Sequence, residues 1–216
     1  MTLALHSYFR SSCSWRVRVA LAWKRLEFEY IPVHLLAGGG EQYSDAHRAL
    51  NPSQQVPVLV VDDGALAQSV AILEYLEERW PAPPLLPRGL VDRARVRQMV
   101  EVVNSGTQPL QNLLVMRLLE KEHGLDSASV RRFCQGAITR GLGALEELVW
   151  RYGDGFCFGS APTFADACLV PQLYNARRFA VALDAFPRLL AAEAACMALP
   201  AFQVSHPDHQ PDTPPD

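Results

Sequence analysis

The chain carries little excess charge of either sign: 20 lysines and arginines stand against 23 aspartates and glutamates in 216 residues, a net charge of -3. That near-balance argues against any general electrostatic attraction to nucleic acid or to an anionic membrane, and only a local basic patch stays open. No run reaches the roughly 18 uncharged apolar residues of a membrane helix. Met1 to Leu5 lack the charged leader and long apolar core of a signal peptide, so a soluble, cytoplasmic chain is expected. The five cysteines, Cys13, Cys134, Cys157, Cys168 and Cys196, are odd in number and include no Cys-x-x-Cys pair. A disulfide framework and a structural zinc site are both disfavoured. His-Glu-x-x-His and phosphate-loop sequences are missing, and His206 with His209 has no further ligands in its proline-rich tail, so no metal is expected. What the chain does have is apolar bulk: 49% hydrophobic against 20% charged residues, enough for a packed core and too much for wholesale disorder.

Periodicity divides the chain. Leu3, Leu5 and Ser7 alternate as in a strand, and Ser11 to Lys24 carries Val17, Ala20 and Leu21 at helical spacing. Leu26, Phe28 and Tyr30 predict a second strand, and Glu41 to Leu50 a short helix after Gly38-Gly39-Gly40. Pro57 to Val61 reads as a strand that turns at Asp63-Gly64 and returns antiparallel through Ala65 to Gln68. Ser69 is placed to cap a helix with the stripe Val70, Leu73 and Leu76. The order β-α-β-α-β-β-α describes a small mixed sheet carrying helices over residues 1–82. Residues 83–90, after Pro81-Ala82-Pro83-Pro84, read as a linker, and residues 91–216 as an all-helical domain with an extended tail lacking regular structure after Phe202. Within it, Val130 to Leu148 forms the clearest stripe. A helix from Val91 to Glu122 should kink at Gly106 and Pro109. Thr163 and Asp166 form an acidic capping box for a helix running to about Arg178, and another short helix follows Pro187.

Five places could carry chemistry. Ser11-Ser12-Cys13-Ser14 lies where the first strand hands over to the first helix, and hydroxyls with first-turn amides at a helix N-terminus favour an anion such as a thiolate. A serine cap beside an ordinary buried cysteine explains the same residues equally well. Proline 57 forces Val56 to be extended, which offers its backbone to a peptide-like ligand, with a cis bond as one option and a plain strand-opening proline as the other. Gln68-Ser69 repeats the hydroxyl-over-amides arrangement and suits a carboxylate, as would any capped helix. Arg177 and Arg178 end a helix, where charge complementarity to the dipole competes with a fork for a substrate carboxylate. Gly155-Phe156-Cys157-Phe158-Gly159 has the glycine spacing of a nucleophile elbow but no helix directly after the cysteine, so a turn is expected.

Taken together, Val-Pro before the third strand, Gln-Ser before the third helix and an all-helical second half resemble the cytosolic glutathione transferases. The stretch from Ser7 to Arg18, Ser-Tyr-Phe-Arg-Ser-Ser-Cys-Ser-Trp-Arg-Val-Arg, is similar to the signature of the zeta class, which includes maleylacetoacetate isomerases. Asn51-Pro52 through Val56-Pro57, Ile72 to Leu76, Gln108 to Asn112 and the tail Ala201 to Pro207 carry the same likeness over nearly the whole chain. The resemblance implies an α/β thioredoxin-like N-terminal domain plus an all-α C-terminal domain, working as a homodimer with glutathione as cofactor. It implies that Ser11, Ser12 and Cys13 face the glutathione sulfur, with Ser14, Trp15 and Arg16 completing the motif. Val56 would pair with the tripeptide backbone, Gln68 and Ser69 would hold its γ-glutamyl end, and Gln42, Gln55 and Gln108 would add contacts, Gln55 standing where a lysine is common. Gln111, Asn112, Leu113, Leu114 and Arg178 would surround a small cis-diacid substrate. The implied activity is glutathione-dependent isomerisation of maleylacetoacetate to fumarylacetoacetate. Maleylpyruvate isomerisation, conjugation of haloacids or electrophiles, and non-catalytic glutathione binding are the alternatives.

Overall fold

The structure, a computed structural model, describes residues 2–215. It divides into two compact units, Met1–Leu85 together with Met197–Asp216, and Leu86–Cys196.

In the first unit β1 (Ala4–Ser7) leads into α1 (Ser12–Trp23), and β2 (Glu29–Pro32) follows. Two 3-10 turns, Ala37–Gly39 and Glu41–Tyr43, precede α2 (Asp45–Leu50). The hairpin β3 (Val58–Val61) and β4 (Gly64–Ala67) then hands over to α3 (Ser69–Arg79). The sheet order is β2-β1-β3-β4, with β1 parallel to β2 and antiparallel to β3, and β3 antiparallel to β4. Leu5 and Leu59 face each other in the two inner strands and are fully buried. A buried ion pair fastens the end of α1 to α3: Lys24 Nζ donates to Glu77 Oε2 at 2.7 Å and also to the carbonyls of Trp80 and Pro83. With both partners satisfied in this way, the charges escape the penalty of an isolated buried ion.

Several boundaries differ from the sequence expectation. β2 starts at Glu29 instead of Leu26, because the Leu26 amide is still occupied closing the end of α1 on the Leu21 carbonyl. The hairpin loop is Asp62-Asp63, one residue early, and Gly64 at φ 135° already pairs with Val61. Ser69 is the first residue of α3 and does not cap it; Gln68 holds the cap position with no side-chain bond. The tail is the largest correction. The tail after Phe202, expected to lack regular structure, completes α9 (Pro200–Val204) and forms a 3-10 turn at Pro207–His209. They belong with the first unit, where α9 packs on α1. Fully buried Phe202 anchors them, and the Gln210 side-chain amide donates to the carbonyls of Val204 and His206 at 3.0 and 2.8 Å.

The second unit is helical: α4 (Leu90–Asn104), α5 (Leu113–Lys121), α6 (Ser127–Tyr152), α7 (Phe164–Arg178) and α8 (Pro187–Met197). The helix expected to kink between Val91 and Glu122 instead breaks into α4, a 3-10 turn at Gln108–Gln111 and α5. α6 follows its stripe, burying Val130, Cys134, Ala137, Ile138, Leu142 and Leu145, and it meets the break between α4 and α5 at Gly141. The Thr163–Asp166 capping box is present and Asp166 is fully buried; its carboxylate also accepts from the Cys157 amide at 2.8 Å. Gly155 to Gly159 is a turn, closed by the Gly159 amide on the Tyr152 carbonyl.

Candidate active site

Ser11 is the N-cap of α1, with φ -69° and ψ 117°, and its Oγ accepts the Ser14 amide at 3.2 Å. A serine hydroxyl has one proton and two acceptor lone pairs, so a side chain occupied as an acceptor still has its O–H to donate. The Ser12 and Cys13 amides sit in the first turn, which has no intrahelical acceptors, and no acidic residue lies there to oppose an anion. Ser11 and Cys13 are half-buried, whereas Ser12, Ser14, Trp15 and Arg16 are buried. The motif therefore splits: Ser11 and Cys13 reach solvent, and the residues after them pack.

Arg16 joins two of the expected clusters, its Nη1 donating to Ser69 Oγ at 3.1 Å. This bond ties the N-terminal part of α1 to the start of α3. Gln68, just before α3, holds φ 70° and ψ 112°. For a residue with a side chain that left-handed conformation costs of order 1–3 kcal/mol, and such costs concentrate at ligand sites. Val56 is followed by a cis prolyl bond and lies outside the strand registers, which end at Val58. The Gln55 carbonyl is occupied by His47 Nε2 at 3.0 Å and Asn51 Nδ2 at 2.8 Å, which fixes the approach to Val56. Gln42 is buried; its Nε2 donates to the Leu35 carbonyl at 3.4 Å and its Oε1 has no partner, an acceptor that a ligand donor would satisfy. Hydroxyl and amide donors at the start of α1 suit an anion, and the unused Gln42 acceptor suits a ligand N–H.

In the second unit Gln108 opens the 3-10 turn and Asn112 caps α5, its Oδ1 accepting the Leu114 amide at 3.0 Å. Leu113 is half-buried and Leu114 exposed. Gln111 is buried, and its Nε2 donates to Gln172 Oε1 at 2.6 Å. Of the terminal arginines, Arg177 is taken by a two-pronged pair with Glu193 at 2.6 and 2.5 Å. Arg178 is exposed and donates to Asn175 Oδ1 at 3.2 Å. Among the described residues no group of three or more His, Cys, Asp or Glu is arranged to hold a metal, and no helix is long and apolar enough to cross a membrane.

Sequence reasoning missed the surroundings of Arg18. This buried guanidinium donates to the carbonyls of Tyr8 (3.3 Å), Phe9 (2.8 Å) and Ser205 (3.2 Å) and to Ser7 Oγ (3.1 Å). Asp212 of the tail accepts the Phe9 amide at 2.9 Å and the Tyr30 hydroxyl at 2.6 Å. Burial lowers Arg18 to about 10, with Tyr30 and Asp212 opposing, so it stays protonated at neutral pH. Burial, and then the bond to Asp212, push the Tyr30 phenol well above its ordinary value, which keeps it a donor.

Known proteins resemble this chain over nearly its whole length. Family models described as the N-terminal and C-terminal domains of glutathione S-transferase match residues 10–79 and 120–192. Maleylacetoacetate isomerase of Rattus norvegicus is 48% identical over 97% of this chain and 94% of its own. A crystal structure of maleylacetoacetate isomerase from Anaeromyxobacter dehalogenans, with glutathione in the active site, superposes with a TM-score of 0.89 at 53% identity, covering 99% of this chain and 98% of that one. The same enzyme has been solved with dicarboxyethyl glutathione and citrate in the active site. A holo maleylpyruvate isomerase, described as a bacterial zeta-class transferase, reaches a TM-score of 0.94 at 40% identity, covering 98% of this chain and all of that one. The chain belongs to the glutathione S-transferase family, within the zeta class that holds the maleylacetoacetate isomerases.

Proposed function

We propose that the protein isomerises maleylacetoacetate to fumarylacetoacetate with glutathione as a cofactor that is regenerated in every cycle. The observation that carries this reading is the half-buried Ser11 hydroxyl, occupied as an acceptor by Ser14 and so left with a proton to donate at the mouth of α1. Bound glutathione supplies a thiolate that adds to the cis alkene, allows rotation about the resulting single bond, and leaves to give the trans product.

The protein's task is to keep that sulfur anionic. A free thiol of pKa about 8.5 is only about 3% ionised at pH 7, and each unit of lowering needs about 1.36 kcal/mol of preferential thiolate stabilisation. The Ser11 hydroxyl donates to the sulfur, with the Ser12 and Cys13 amides and the α1 dipole adding to it and the Cys13 side chain supporting. Val56 pairs with the tripeptide backbone, and the α3 amides at Ser69, beside Gln68, hold the γ-glutamyl carboxylate. Arg178, at the end of α7, holds a substrate carboxylate and stabilises negative charge developing on the carbonyl, while Asn112 to Leu114 line the diacid. Gln111 supports this segment through Gln172. A homodimer in the cytoplasm completes the proposal.

Maleylpyruvate is the second substrate to weigh, favoured by the likeness to the holo maleylpyruvate isomerase. Both cis substrates assayed side by side, with glutathione varied, test the reading. Saturable dependence on glutathione and a higher kcat/KM for maleylacetoacetate are expected. A preference for maleylpyruvate would move the assignment to the second reading, and no turnover of either would overturn both.

A further inference from the structure

Asp212 lies 203 residues from Phe9 in the chain, yet its Oδ2 accepts the Phe9 amide at 2.9 Å. Its Oδ1 accepts from the Tyr30 phenol at 2.6 Å. Phe9 is two residues before the cap of α1, and the turn between them is closed by the Ser11 amide on the Tyr8 carbonyl at 3.0 Å. The carbonyl side of the same turn is held by Arg18, which takes Tyr8 O and Phe9 O and also grips the tail at Ser205 O. The Phe9 amide, the Tyr8 and Phe9 carbonyls and the Ser11 amide are thus bonded to Asp212, to Arg18 or within the turn. The tail is itself stapled: Gln210 bonds the carbonyls of Val204 and His206, the Thr213 amide bonds Gln210 O at 3.1 Å, and the Thr213 hydroxyl bonds Pro207 O.

We infer that Asp212 is a positioning residue for the sulfur site, fixing through the Phe9 amide the turn that delivers the Ser11 hydroxyl. The inference rests on the reading of Ser11 as the thiolate donor. Asp212 does not touch the sulfur. It sets where the donor stands, and a hydrogen bond to a thiolate weakens steeply when its donor drifts in distance or angle. The closing segment of the chain thereby controls chemistry at its opening.

The test is an ultraviolet titration of the thiolate of bound glutathione, with kcat and KM, in wild type, Asp212→Ala and Asp212→Asn. Alanine removes both acceptors, and the thiol pKa in the complex should rise by about one unit, which for a thiol titrating near neutrality lowers the thiolate fraction at pH 7 about three- to fivefold. kcat should fall by about the same factor with KM for glutathione nearly unchanged. Asparagine keeps an oxygen for the Phe9 amide and should restore most of both. A folded Asp212→Ala protein with the wild-type thiol pKa and kcat overturns the inference, because a role in folding alone would lower only the melting temperature. Should Asp212→Ala not fold, Tyr30→Phe, which removes the phenol donor that orients the carboxylate, decides: a raised thiol pKa supports the inference and an unchanged one overturns it. A wild-type complex with no thiolate band at neutral pH would be a different failure, overturning the assignment of Ser11 and this inference with it.

Discussion

Replacing Ser11 by alanine separates a structural role from a chemical one. As a cap, the Ser11 Oγ accepts the Ser14 amide at 3.2 Å. Its loss should cost about 0.5–2 kcal/mol of stability, which leaves the protein folded at assay temperature. As a donor, the hydroxyl makes a hydrogen bond to a charged group, worth roughly 1.5–3 kcal/mol in a site of this kind. If that bond is made to the thiolate, kcat should fall by about ten- to a hundredfold at 1.4 kcal/mol per decade, with much less change in glutathione affinity. Ser11→Gly sharpens the comparison, since glycine at an N-cap costs only a few tenths of a kcal/mol relative to serine while removing the same donor. Both variants should therefore lose similar amounts of kcat while differing in melting temperature. Steady-state isomerisation and calorimetry read the two quantities independently. Wild-type kcat in either variant would remove Ser11 from the mechanism, and a kcat loss that tracked melting temperature across the pair would reduce the residue to a cap.

Two further outcomes follow from packing and titration. An added Cβ at Gly141 would lie 1.9 Å from the Thr107 hydroxyl, itself bonded to the Val102 carbonyl, so Gly141→Ala should destabilise by about 1–2 kcal/mol despite better helix propensity. At Gly143, two residues on in the same helix, an added Cβ meets nothing within 4 Å, so Gly143→Ala should stabilise by up to about 1 kcal/mol; thermal melts with the same sign for both would contradict this packing. His206 stands edge-on to Trp15 with ring centroids 5.1 Å apart, and burial, followed by smaller effects of His209 and Arg18, holds it below its usual 6.5 against the opposing pull of Asp208. Between that lowered value and 6.5 the unfolded chain binds more protons, so stability should fall as pH drops through this window. The melting temperature of His206→Gln should depend less steeply on pH, and parallel profiles would refute the assignment.

Local signals in the sequence were legible, and distant ones were not. The capping box at Thr163, the stripe of α6 and the serines opening α1 depend on residues within a turn or two of each other. Their structure matches the expectation closely. The break at Gly106 and Pro109 was visible as a disturbance, but its depth was not, because nothing local says that Gln111 turns inward to Gln172. The left-handed backbone of Gln68 had no residue-type signal, since glutamine does not favour positive φ. The tail misled most. Proline-rich composition argues for irregular structure, whereas buried Phe202, Arg18 on Ser205 and Asp212 on Phe9 organise it through contacts across nearly the whole chain length. Such contacts leave no periodicity for a sequence to display.

The central claim, that glutathione acts here as a regenerated cofactor for isomerisation, is tested most directly by thiol balance. Maleylacetoacetate in large excess over glutathione should be converted completely to fumarylacetoacetate, with the free thiol titre at the end equal to that at the start. Thiol lost in step with substrate would mark a conjugating transferase, and conversion that proceeds equally well without glutathione would contradict the account altogether.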